Sequence, residues 1–104
     1  MESKFKVEYS EDVLKVTISG RLDANNSPAL SDELGKYRGQ NIKDMVFYVK
    51  DLEYISSAGI RVIVFAKQKI GENSQIFLIG ASETVLDVIN MTGLANFMKV
   101  QDQY

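Results

Sequence analysis

The chain has 104 residues, 45% of them hydrophobic, with 12 Lys and Arg against 14 Asp and Glu and a formal net charge of −2, which suits one compact α/β domain over residues 1–104. It contains no cysteine and no histidine, which excludes disulfides, thiolate chemistry, a Ser-His-Asp arrangement, and the usual general base and metal ligand. The charges form no basic stripe, no apolar run reaches the ~18 residues of a membrane span, and no charged and apolar leader opens the chain, so a soluble cytoplasmic protein with neither nucleic acid nor membrane as partner is expected.

Residues Lys4 to Tyr9 alternate polar and apolar, as do Val13 to Ser19 after the polar turn Ser10-Glu11-Asp12; the pattern predicts a hairpin. Gly20 is expected to end the second strand, followed by a polar loop from Arg21 to Asn26. Ser27-Pro28 reads as a helix start, serine as N-cap and proline in the first helical position. The helix should run to about Tyr37, with Ala29 or Leu30, Leu34 and Tyr37 facing inward, and end in Arg38-Gly39-Gln40-Asn41.

Met45 to Val49 is a nearly continuous apolar run, the pattern of a central strand covered on both faces. It is expected to lead straight into the junction Ile55-Ser56-Ser57-Ala58-Gly59 and a long apolar helix ending near Ile70. At about 100° per residue, Gly59, Val62, Ile63, Ala66 and Ile70 share one stripe, suited to burial on a sheet. The opposite stripe is Ser57, Arg61, Val64 and Gln68, flanked by Ile60. Apolar side chains among polar ones on a solvent face suit a docking partner.

Gly71-Glu72-Asn73 is read as a C-cap and turn, and Gln75 to Ile79 as the next strand. Strands alternating with helices argue for parallel pairing. Ser82-Glu83 starts a last helix, with Val85, Leu86, Ile89 and Met91 as its apolar stripe and Gly93 as its stop. Leu94, Phe97, Met98 and Val100 read as a short strand or packed tail belonging to the core, and Gln101 to Tyr104 as loosely ordered.

The chemistry concentrates at the serines. Either Ser56 or Ser57 can cap the helix by accepting from a first-turn amide. A phosphorylated serine there would meet free amides and the positive end of the helix dipole, and would place about 1.5 to 2 negative charges where the docking face begins. The spacing alone serves either role. Asp23 has two readings as well: it stands near Ser57, at the end of a neighbouring parallel strand, or it forms an Asx-turn that shapes its loop. Gly80-Ala81-Ser82 and the stretch from Gly35 to Gly39 lack the Lys-Ser/Thr of a phosphate loop, and Gly59 belongs to no Gly-x-Ser-x-Gly elbow. Catalytic residues, cofactor and metal are therefore not expected, and a nucleophilic serine enzyme would lack a base.

Asp51-Leu52-Glu53-Tyr54-Ile55-Ser56-Ser57-Ala58-Gly59-Ile60-Arg61-Val62 resembles the signature of the STAS domain, specifically of the bacterial anti-sigma factor antagonists. Gly20-Arg21-Leu22-Asp23 resembles the first loop of that family, and Met91-Thr92-Gly93-Leu94 followed by Phe97 its last helix end. The resemblance covers almost the whole chain, in order. It implies a four- to five-stranded, mostly parallel sheet with an N-terminal hairpin and about three helices packed on it. It also implies phosphorylation of Ser57, the serine matching the family's acceptor in an Asp-Ser-Ser/Thr-Gly motif. Here Ser56 replaces the aspartate and Ala58 the second hydroxyl residue, which leaves Ser56 as a second acceptor.

The expectation is thus a regulatory binding protein. Unphosphorylated, it would bind an anti-sigma factor serine kinase through Asp23, Asn25, Ser56, Ser57, Ala58, Gly59, Ile60, Arg61 and Val64, and so release a sigma factor. A separate serine phosphatase would reverse the modification, and a monomer is expected. The alternative is a constitutive STAS scaffolding module in another kinase-phosphatase circuit.

Overall fold

Alternating apolar positions bring the first two strands together. In the computed structural model, which describes residues 4–104, β1 (Lys4–Ser10) and β2 (Val13–Leu22) pair antiparallel. Glu11 and Asp12 form the turn with φ of 51° and 66°, the two left-handed residues that match a tight hairpin to the twist of its strands.

On its other edge β2 takes two successive parallel partners. β3 (Asp44–Tyr48) runs beside Val13 to Thr17, and β4 (Leu52–Ile55) beside Gly20 to Leu22. Gly20 therefore does not end the strand as expected; it carries β2 across the change of neighbour, with φ of 77° and its amide donating to the Asp51 carbonyl at 2.9 Å. The route from the apolar run into the serine junction is likewise not direct, because β4 intervenes. β5 (Gln75–Ile79) pairs parallel with β3, and β6 (Lys99–Gln101) with β5. The order is β1-β2-β3-β5-β6, with β4 beside β2. The expected mostly parallel sheet with its hairpin is present, enlarged by one short strand.

Three helices build the layer over this sheet: α1 (Ser27–Gly35), α2 (Ser57–Phe65) and α3 (Glu83–Thr92). A wider π-helical turn, Ala66–Ile70, extends α2, closed by the Gly71 amide on the Ala66 carbonyl at 2.8 Å. Lys67 Nζ then ties down the following loop, donating to the carbonyls of Glu72 at 2.9 Å and Ser74 at 2.6 Å. Leu14, Val16, Ile18, Met45, Phe47, Ile76 and Leu78 from the strands share one core with Leu30, Leu34, Val62, Ile63, Val85 and Ile89 from the helices.

Several local expectations are corrected. Ser27 is not the cap of α1; Asn26 occupies that position, and Ser27 is buried with its hydroxyl unpartnered. The helix stops at Gly35 rather than Tyr37, and Leu30, not Ala29, faces inward. Met91 is 86% exposed, because it lies about 200° round α3 from the buried Ile89. Phe97 is 71% exposed on a 3-10 turn, Leu94–Phe97, rather than in the core, and Val100 is exposed too.

The chain end is anchored, not loose. The Tyr104 hydroxyl donates to Asp44 Oδ2 at 2.5 Å, and its ring meets the Phe77 ring edge-on at 4.9 Å. This covers part of a second, smaller apolar cluster, Val46, Phe77 and Ile79, which explains why β3 reads as apolar on both faces. The Asp44 hydrogen bond, then burial and the Asp44 charge, push the Tyr104 phenol up to about 12.

Candidate functional site

The site forms where β2 and β4 end side by side. Leu22 is paired with Ile55, and the Ser56 amide donates to the Leu22 carbonyl at 2.9 Å. That bond fixes the loop after β2, which carries Asp23 and Asn25, against the start of α2. Of the two readings of Asp23, the Asx-turn is the one realised. The Asp23 Oδ1 accepts from the Asn25 amide at 3.0 Å, while its loop docks beside the serine junction. Asn26 closes the same loop, accepting from the Asp23 amide at 2.8 Å and donating to the Arg21 carbonyl at 2.6 Å. The side chain in the capping position of α1 is spent on the loop instead.

The two serines have different environments. Ser56, with extended backbone, is the N-cap of α2: its Oγ accepts from the Gly59 amide at 3.3 Å, and its carbonyl from the Ile60 amide at 3.0 Å. Ser57 is the first helical residue; it is exposed, and its hydroxyl has no hydrogen-bond partner among the described residues. The amides of Ser57 and Ala58, at the first two helical positions, have no acceptor within the helix. They give this end of the helix its partial positive charge.

Gly59 explains why the helix can start so close to the sheet. A methyl group there would meet Ile55 Cγ1 at 2.8 Å and Leu22 Cγ at 2.9 Å. Its role is close approach, and it is buried, as is Ile60. The expectation that Ile60 flanks the solvent face is thus corrected: α2 packs on α1 as well as on the sheet, so its buried arc is wider than one stripe. Of the expected outer face, Ser57, Arg61 and Gln68 are exposed and Val64 half-buried, and Ala58, expected at the partner surface, is half-buried as well. Val64 lines a shallow apolar cavity of about 200 Å³ together with Ile63, Leu94, Phe97 and Met98.

A cation–aromatic pair that local sequence pattern does not reveal flanks the junction. The Arg21 guanidinium lies over the Tyr54 ring, 4.3 Å from its centroid, and the two residues are register partners on β2 and β4. Local pattern hides the pairing because β4 has four residues and its register with β2 shifts at Gly20/Arg21. Among the described residues, no group of three or more acidic side chains gathers as a metal site, and no helix is long and apolar enough to cross a membrane.

A protein-family model described as the STAS domain matches residues 4–104. The chain is 25% identical over 93 residues to an anti-sigma-B factor antagonist of Staphylococcus epidermidis, an alignment covering 88% of this chain and 86% of that protein. Its fold is similar to the crystal structure of an anti-sigma factor antagonist from Mycobacterium paratuberculosis, with TM-score 0.83, 21% identity, and coverage of 96% and 86% of the two chains. It is similar as well to the anti-sigma factor antagonist SpoIIAA in its unphosphorylated form, with TM-score 0.82, 17% identity, and coverage of 93% and 87%. A phosphorylated form of the Bacillus SpoIIAA aligns with TM-score 0.73 and 16% identity over 93% of this chain and 90% of that one.

Proposed function

Because the chain belongs to the STAS domain family, and its relatives are anti-sigma factor antagonists, we infer that it is a phosphorylation-switched binding protein of a partner-switching circuit. Unphosphorylated, it binds an anti-sigma factor serine kinase through the surface around the start of α2 and so frees a sigma factor. Phosphorylated on Ser57, it lets the kinase go. It acts as a monomer in the cytoplasm and does no catalysis of its own.

The observation that carries this reading is the division of labour between the serines. Ser56 is committed as the cap, whereas Ser57 presents an unpartnered, exposed hydroxyl at the amide-rich end of α2. In the proposed step the Ser57 Oγ forms a bond to the γ-phosphorus of ATP and the bond to the ADP oxygen breaks. The hydroxyl proton passes to a base on the kinase. Hydrolysis by a separate serine phosphatase returns the hydroxyl and inorganic phosphate. A phosphate at this point places a dianion at the centre of the docking surface, where a desolvated interface tolerates it poorly. A hundredfold loss of affinity requires about 2.7 kcal/mol.

The test is intact mass after incubation with ATP and a lysate of the source organism, with fragment mapping of any added phosphate. A single phosphate on Ser57 is expected. Phosphate on Ser56 alone would overturn the assignment. No phosphate, with lysate kinases shown to be active, would favour a constitutive scaffolding module instead.

A further inference from the structure

Ser57 and Arg61 stand one helical turn apart on α2, and both are exposed. Residues at this spacing are neighbours on a helix surface. The Cα–Cβ bonds of a helix tilt toward its N-terminus, so a long side chain lies over the turn before its own. For Arg61 that turn holds Ser57. Arg61 has no ion-pair partner among the described residues. Arg21, a cation on the neighbouring strand β2, is instead stacked over the Tyr54 ring at 4.3 Å.

Resting on the reading that Ser57 is phosphorylated, we propose that Arg61 is the positioning residue for the phosphoserine, closing a charged pair across the first turn of α2. The pair has the favourable orientation, anion toward the N-terminus and cation toward the C-terminus. The amides of Ser57 and Ala58 supply further donors to the same group, and the planar guanidinium supplies two parallel ones, as an ammonium does not. The loop carrying Asp23 docks beside the serine junction through the Ser56–Leu22 bond. A dianion on Ser57 stands one helical turn from Arg61, which makes that cation the group that decides how it is held. Phosphorylation on this account leaves α2 intact. It converts the exposed guanidinium from a group open to a partner's carboxylate into one occupied within the chain.

The experiment uses the full chain with phosphoserine installed at position 57 during translation, so that no kinase is required. Phosphorus NMR follows the second ionisation of the phosphate in the parent, Arg61→Gln, Arg61→Lys and Arg21→Gln proteins. A nearby cation favours the dianion and lowers its pKa, so Arg61→Gln should raise it by about 0.3 pH unit. Arg61→Lys should recover part of the shift, and Arg21→Gln should leave the phosphate at the parental value. The Arg61 Nε–H resonance should move on phosphorylation. An unchanged phosphate in Arg61→Gln, or a shift produced by Arg21→Gln instead, overturns the proposal. Failure of cellular kinases to modify Ser57 would overturn the phosphorylation switch and leave this result standing, so the two are separable.

Discussion

Gly59 lies against Leu22 with space for a hydrogen and not for a methyl group: an added Cβ would stand 2.9 Å from Leu22 Cγ. On helix propensity alone, alanine at this position would stabilise α2 by about 1 kcal/mol. The contact reverses the sign. Both near neighbours, Leu22 and Ile55, are themselves buried and not free to swing away. Gly59→Ala is therefore expected to destabilise the fold by about 1–3 kcal/mol in denaturant unfolding. A more stable variant would contradict the packing described.

The serines should separate in the same assay. Ser56→Ala removes the side-chain cap of α2 and should cost about 1 kcal/mol. Ser57→Ala touches an exposed hydroxyl with no partner among the described residues and should stay within about 0.5 kcal/mol of the parent. Equal losses would mean that the two hydroxyls share the cap.

Ser27 offers the opposite case. Its Oγ is buried without a hydrogen-bond partner, and such a group carries a desolvation cost with nothing to offset it. Ser27→Ala should be neutral or stabilising by up to about 1 kcal/mol in unfolding midpoint at unchanged m-value. A loss of more than 1 kcal/mol would show that the hydroxyl has a partner.

The Tyr104–Asp44 contact gives a pH signature. The phenol is raised to about 12 in the folded chain, the hydrogen bond to Asp44 being the largest cause, against about 10 when unfolded. A raised pKa means that the folded state holds the proton more tightly. The contribution is therefore full below pH 10 and is lost as pH climbs from 10 to 12. Difference absorbance titration of the parent against Tyr104→Phe should reveal a tyrosinate appearing near pH 12, and Asp44→Asn should move it lower. Ionisation of Tyr104 near pH 10 in the parent would show that the tail does not dock.

The sequence carried the main lines of this fold because its strands are strongly periodic and its later two helices begin at serines. Val62, Ile63, Ala66 and Ile70 are buried as their spacing requires, and Ser82 and Gly93 bound α3 as expected. What failed was non-local. β4 has four residues, and its pairing with β2 slips by one between Gly20 and Arg21, leaving Glu53 and Tyr54 both exposed; a bulge of this kind erases the alternation that marks a strand. Helical spacing puts Ile60 beside the solvent face because a single stripe cannot register two packing surfaces. The Tyr104 anchor depends on residues 60 positions apart, beyond any local pattern. At the candidate site, the junction and its serines were legible, whereas the Arg21–Tyr54 stack and the commitment of Ser56 to capping required the folded chain.

The central claim is that a phosphate on Ser57 turns off partner binding. The direct measurement is the calorimetric affinity of the purified cognate anti-sigma kinase for the unmodified chain and for the chain carrying phosphoserine at position 57. Binding at least a hundredfold weaker for the phosphorylated chain, a difference of about 2.7 kcal/mol or more, is the expected result. Equal affinity for the two forms would contradict the switch and leave Ser57 as an ordinary residue of a helix start.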